Sequence, residues 1–163
     1  MHGNYDLEKK LFNCWDMSNE ISSNEISNNV IIRYSGFIKH DVLNSLDIMN
    51  IISDNYDNMH TFKNLKGNFV IAICDIIKNR LLLVRDHFGV YPLYYHIHKN
   101  VIYFGSTINS IINNREIDVN INYDRVNEYF MFGCISGKNT LFKNIIEIEP
   151  GSIAEFNGSG NVN

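Results

Sequence analysis

The sequence predicts an α+β domain made mostly of antiparallel strand pairs, and three observations carry that expectation. Short apolar runs bounded by turn residues fill the middle of the chain. The connections between them are too brief to hold a crossover helix, and helical periodicity is confined to a few separate stretches.

Taken in order, the first third shows the least pattern. Ser18-Asn19-Glu20-Ile21-Ser22 is followed by its near-duplicate Ser23-Asn24-Glu25-Ile26-Ser27, made of turn formers, which reads as a surface loop. Val30 to Tyr34 is expected as a strand ended by Ser35-Gly36. A helix capped by Asn44 or Ser45 should run to about Tyr56 with Ile48, Ile51 and Ile52 on one stripe. Asn68 to Asp75 is an unbroken apolar run, which suits a strand covered on both faces, and Arg80 to Arg85 pairs with it. Pro92, which donates no hydrogen bond, opens the next strand, with Gly89 free to take a turn conformation ahead of it. Leu93 to His98 and Val101 to Ser106 flank Lys99-Asn100, a connection of hairpin length. Alternation puts Leu93, Tyr95 and Ile97 on one face and Tyr94, His96 and His98 on the other. Thr107 caps a short helix to Ile112. Asn122 caps another from Tyr123 to about Phe132, whose Val126, Tyr129 and Phe130 should face inward. Asn144 to Ile148, a Glu149-Pro150-Gly151 turn and Ser152 to Phe156 read as a terminal hairpin, and Asn157 onward as a flexible exit.

Composition bounds the function. The 163 residues supply one domain, and 45% hydrophobic content argues against disorder. A formal charge of −4 without a basic cluster gives no case for nucleic acid or an anionic membrane. No run approaches the roughly 20 apolar residues that span a bilayer, so a cytoplasmic protein is expected. Cys14, Cys74 and Cys134 fit neither a disulfide scaffold nor a paired metal site.

Leu65-Lys66-Gly67-Asn68-Phe69, the strand ending in Asp75, Arg85-Asp86, Gly89, Pro92-Leu93-Tyr94-Tyr95 and Phe104-Gly105-Ser106 resemble the core of class II glutamine amidotransferase domains of the asparagine synthetase family. A second stretch, Glu128 to Gly133 and Thr140 to Gly151, is similar to the end of that domain, where the family leads into its synthetase half. The resemblance implies a four-layer α-β-β-α sandwich of two antiparallel sheets, the Ntn-hydrolase-like arrangement, over residues 1–156 with a shortened N-terminal part. Residues 157–163 would lead toward a synthetase domain.

It also implies a chemistry. In the family a terminal cysteine attacks the glutamine amide, its own amine handles the proton, and an Asn-Gly pair holds the oxyanion. Here His2 stands at the nucleophile position and Ser35-Gly36 aligns with the Asn-Gly pair. Ser45 and Asp47 align with the acidic pair that grips the substrate amine, and the Arg-Gly-Pro-Asp carboxylate clamp has no counterpart. Together these losses describe a degenerate site without a catalytic residue. Arg85, Asp86, Gly89, Pro92 and Tyr94 are assigned to fold and domain contact, with Asp86 bonding turn amides around Gly89 and Arg85 pairing nearby.

Rival readings attach to single residues. Trimming before Cys14 would expose a terminal thiol, against which Trp15 stands where the family needs Gly. Cys74 and Cys134 read as packed hydrophobes. His96 and His98 share a strand face without a third ligand, so no metal site is expected. The function implied is the amino-terminal half of an ATP-dependent amide-forming ligase that no longer hydrolyses glutamine, as in β-lactam synthetases and lasso-peptide cyclases. ATP and magnesium would bind only a companion synthetase domain, in cis or in trans; self-association is left open. The alternatives are an active glutaminase after processing at Cys14 and a stand-alone binding module.

Overall fold

The computed structural model describes residues 1–6, 11–15, 22–27, 29–39 and 45–157. Asn44, residues 18–21 of the expected loop and residues 158–163 of the expected exit lie outside the described residues, while Asn157, expected to open that exit, ends a strand. Among the described residues ten strands form two five-stranded antiparallel sheets. One has the order β2-β1-β8-β7-β9, from β1 (His2–Asp6), β2 (Leu11–Trp15), β7 (Tyr94–His98), β8 (Val101–Gly105) and β9 (Ile146–Glu147). The other runs β10-β6-β5-β4-β3, from β3 (Ser22–Ser27), β4 (Val30–Lys39), β5 (Lys66–Asp75), β6 (Arg80–Arg85) and β10 (Ile153–Asn157).

The period of two along β5 and β6 builds the layers. Val70, Ala72, Cys74, Leu81 and Leu83 face the first sheet, where they meet Tyr5, Leu93, Ile102 and Phe104. Phe69, Ile71, Ile73, Leu82 and Val84 point the other way, onto Ile48, Met49 and Ile52 of α1 (Ser45–Asn55) and Phe62 of α2 (His60–Lys63). Beyond the first sheet, Tyr103 packs on Ile111 of α3 (Ile108–Ile112), with Ile117 and Ile145. Helices therefore cover both outer faces of a two-sheet sandwich, the α+β architecture expected. Thr107 caps α3 through its hydroxyl, which accepts from the Ser110 N–H at 3.3 Å. The hairpin at Lys99-Asn100 turns with φ of 48° and 60°, values that match the right-handed twist of its strands.

Four expectations need correction. Ser22–Ser27 is strand β3, paired to β4, because backbone pairing on a sheet edge overrides the turn preference of Ser and Asn. Val30 does not start a strand that stops at Ser35; β4 runs through Ser35-Gly36 to Lys39, and β5 pairs with its whole length. The terminal segments form no hairpin. The Ser152 N–H closes a turn on Glu149 O at 3.2 Å with Gly151 at φ 68°, but β9 joins β7 while β10 joins β6, so the turn carries the chain from one sheet to the other.

The fourth correction concerns α4 (Tyr123–Phe132), which buries no residue. Phe130, Met131 and Phe132 are 82%, 74% and 70% exposed, and Tyr123 and Tyr129 are exposed too. Of the three residues expected to face inward, Val126 is half-buried, while Tyr129 and Phe130 are exposed. Asn122 sits at its N-cap without a side-chain cap bond, and Gly133 ends it at φ 71° with its N–H on Tyr129 O. Among the described residues no helix is long and apolar enough to cross a membrane.

Candidate functional site

β1 is the second strand of its sheet, between β2 and β8, with Gly3 opposite both Phe104 of β8 and Cys14 of β2. His2 therefore heads a strand paired on both sides, opposite Gly105 and Trp15; its side chain lies outside the described residues, as do those of Cys14, Ser45 and Asp47. Met1 ahead of it is buried in the inter-sheet core. Its amine donates to Ser106 Oγ at 3.1 Å, and the Ser106 N–H returns a bond to Met1 O at 2.8 Å. Ser35 stands opposite Val70, an inter-sheet residue, and cross-strand partners share a face, so the half-buried Ser35 is turned toward the same layer.

Gly36 follows with φ 103°, a region open mainly to glycine. A Cβ there would come within 2.2 Å of Asn68 O and 2.9 Å of the Tyr91 ring. Ser45 and Asp47 occupy the first turn of α1, in the helix layer outside the second sheet. Among the described residues the inter-sheet core holds one thiol, that of Cys74. Cys74 is buried there, and burial pushes its thiol up to about 12. Cys134 is exposed, and in this it departs from the packed role expected.

Arg85 and Asp86 are held by a dense set of hydrogen bonds. Arg85 Nε donates to Tyr91 O at 2.9 Å and Nη2 to Gly89 O at 2.9 Å. Nη1 donates to Ile148 O at 2.5 Å and Glu147 Oε1 at 2.7 Å. Asp86 accepts the N–H groups of Phe88 and Gly89, each at 2.9 Å, and of Phe69 at 3.2 Å. Gly89 takes φ 61°, and a Cβ would meet Pro150 at 2.7 Å. Pro92 leads into the fully buried Leu93, and Tyr94 lies on the outer face of its sheet. Burial and the neighbouring Glu147 carboxylate raise the Tyr94 phenol, which Arg85 partly offsets.

His96 Nδ1 lies 2.9 Å from Asn144 O, and the ring stacks on His98 at 6.2 Å. Among the described residues no three His, Cys, Asp or Glu side chains gather as a metal would need. Tyr94 also lines an open groove of about 220 Å³ with Ile108, Tyr129, Cys134, Leu141 and Phe142, continuous with the exposed face of α4. Sequence patterning missed two features. Tyr91 against Gly36 had no signal beyond its place before Pro92. Glu128, which holds Arg125 and the N–H and hydroxyl of Ser136, is read only once the turn after Gly133 is seen.

Comparison with known proteins gives a consistent result. The family model described as a glutamine amidotransferase domain matches residues 49–163, more than half of the chain. The putative glutamine-hydrolysing asparagine synthetase 2 of Methanocaldococcus jannaschii is 34% identical over 89 residues, 53% of this chain and 17% of that protein. Asparagine synthetase 2 of Bacillus subtilis is 31% identical over 96 residues, 56% of this chain and 13% of that one. The chain thus spans less than a fifth of the curated relatives it matches. Among solved structures, a glutamine phosphoribosylpyrophosphate amidotransferase from B. subtilis aligns over 87% of this chain and 30% of that chain at 11% identity, with a TM-score of 0.41. On the family match and the relatives, the chain belongs to the class II glutamine amidotransferase domains of the asparagine synthetase family.

Proposed function

We propose that this chain is the amidotransferase-like half of an ATP-dependent, amide-forming ligase, with its own glutamine hydrolysis lost and its role that of support for the synthetase half. The observation that carries the reading is the residue at the head of β1. Ahead of Gly3 stands His2, whose imidazole offers no sulfur to attack a carboxamide and form a thioester.

The remaining groups agree with this. Cys74 is sealed between the sheets with its thiol pushed up to about 12, and the thiolate is the reactive form. Ser35 and Ser45 stand where the family's mechanism uses an amide donor and a carboxylate. The apolar hairpins are consumed on both faces by the core, so support for a second domain falls to α4 and the groove beside Tyr94. An exposed apolar helix face of this kind marks a contact surface. In this reading the synthetase half, in cis or in trans, holds ATP and magnesium, and the pair works in the cytoplasm.

The rival reading, a glutaminase freed by cleavage before Cys14, runs against the topology. β2 joins its sheet through β1, so the cut that exposed Cys14 would remove the strand between β2 and β8. The test is glutamate release from glutamine by the full chain and by Cys14→Ala. Both should give none; release that Cys14→Ala abolishes would establish the rival.

A further inference from the structure

Helix α4 separates its apolar residues from its charges. At 3.6 residues per turn Tyr123, Val126 and Phe130 form one strip with Met131 at its edge, whereas Arg125 and Glu128 lie on the opposite side. Those two charges are already engaged: Arg125 Nη1 donates to Glu128 Oε2 at 2.9 Å, and Glu128 Oε1 accepts the Ser136 N–H at 2.9 Å. The strip itself holds no charged residue, so a second copy of it can approach without setting like charges against each other.

Next to the strip lies a receptor for a ring. The groove of about 220 Å³ beside Tyr94 is walled by Ile108, Tyr129, Leu141 and Phe142. An apolar cavity of about 150 Å³ takes a benzene-sized ligand, so this groove has room for one phenyl side chain. Phe130 does not fill it in its own chain: its ring stands edge-on to Tyr129 at 6.2 Å, and the residue is 82% exposed. A ring and a groove that would take it are thus adjacent on one chain and unmet within it. A two-fold axis beside α4 brings each ring to the other copy's groove, and such a pairing closes on itself.

We propose that this face of α4 pairs with the same face of a second copy of the chain, with Phe130 of each copy seated in the other's groove between Tyr94, Tyr129 and Phe142. A buried aromatic side chain covers about 150–250 Å², so at the exposures of Tyr123, Tyr129 and Phe130, with Met131 alongside, each copy has roughly 500 Å² of apolar surface to cover. Two copies then bury about 1,000 Å², the low end for specific interfaces, so the pair forms at high concentration and parts on dilution. The proposal rests on the reading of α4 as a contact surface and adds its regulation. With no synthetase half in place the chain covers this face with its own kind, and the two partners exclude each other.

The test is sedimentation velocity of the full chain from about 10 µM to about 1 mM, the range in which so small an interface associates. The average mass should climb toward that of a dimer and stop there. Phe130→Asp removes the ring from an exposed position, and Cys134→Trp fills the groove from its exposed rim. Each should weaken association by about tenfold or more, as loss of a central aromatic anchor does. Ile77→Ser, which removes an equally exposed apolar side chain from the turn between β5 and β6, should leave it unchanged. A chain that stays monomeric throughout, association that continues past the dimer, or a dimer that either Phe130→Asp or Cys134→Trp leaves intact would overturn the pairing. Failure of the underlying reading shows separately, as glutamate release by the unchanged chain.

Discussion

Replacing Arg85 by Met tests whether the fold depends on the fork that ties the two sheets together. The side chain is 5% exposed and donates to three backbone carbonyls, those of Gly89, Tyr91 and Ile148. Methionine fills the space of the stem and supplies no donor. Each lost bond leaves a carbonyl with little access to water, at about 1 to 1.5 kcal/mol, or roughly 4 kcal/mol for the three. The ion pair with Glu147, whose side chain is 30% exposed, adds less than about 1 kcal/mol after screening by solvent. The better burial of Met returns about 1 kcal/mol. The expected net loss is about 4 kcal/mol, read as a drop in the urea midpoint of roughly 2 M for a slope of about 2 kcal/mol/M. Arg85→Lys should lose most of the same amount, since an ammonium cannot fork to three acceptors in a plane. A midpoint shift below about 0.3 M at unchanged slope would show that the carbonyls are satisfied by water, and the reasoning fails.

Gly36→Ala forces a Cβ to within 2.2 Å of Asn68 O at φ 103° and should cost about 3 kcal/mol in the same titration. Glu128 is held down to about 2, from an ordinary 4.5, by the Ser136 hydroxyl and N–H and by Arg125. A depressed carboxylate stabilises above its ordinary value and loses that contribution as pH falls, so the 123–136 segment should loosen between pH 4.5 and 2, seen in residue-resolved hydrogen exchange. Glu128→Gln should be loose across that range. Phe130→Ser with Met131→Ser should change stability by less than about 0.5 kcal/mol while reducing binding of a hydrophobic dye; a collapsed melting transition would mean that α4 is packed.

The core was legible in the sequence because its signals are local. An apolar run such as Phe69 to Cys74 fixes a doubly covered strand, and the Lys99-Asn100 turn fixes the hairpin around it, with no need of distant partners. What could not be read depends on partners far along the chain. Ser22–Ser27 becomes a strand only because β4 offers it an edge, and Ile146–Glu147 leaves its apparent hairpin only because β7 is closer to hand than β10. Helix α4 misled for the opposite reason. Its periodicity is that of a buried helix, and amphipathicity reports that a face wants cover without saying whether this chain supplies it. The aligned site positions Ser35 and Gly36 were visible, whereas Tyr91 was not, since no sequence spacing announces a ring laid on a glycine two strands away.

The division between scaffold and site explains how the first could outlast the second. Arg85, Asp86 and Gly89 bond or pack against the chain itself, linking β5, β6, β9 and the turn at Pro150, so a change there is felt as lost stability. Position 2 is different. Its strand is held by backbone pairing to Gly105 and Trp15, which any side chain permits, and a terminal thiol contributes nothing to that pairing. Ser35 likewise sits in a ladder that accepts serine or asparagine alike. In the reading proposed here, the residues that perform glutamine hydrolysis are those whose replacement costs the fold least, so once selection for ammonia release lapsed they would be the first to change. Mutational stability scans should then find positions 2 and 35 tolerant and positions 85, 86 and 89 intolerant; intolerance at position 2 in a chain that releases no glutamate would mean that His2 has acquired a structural duty of its own.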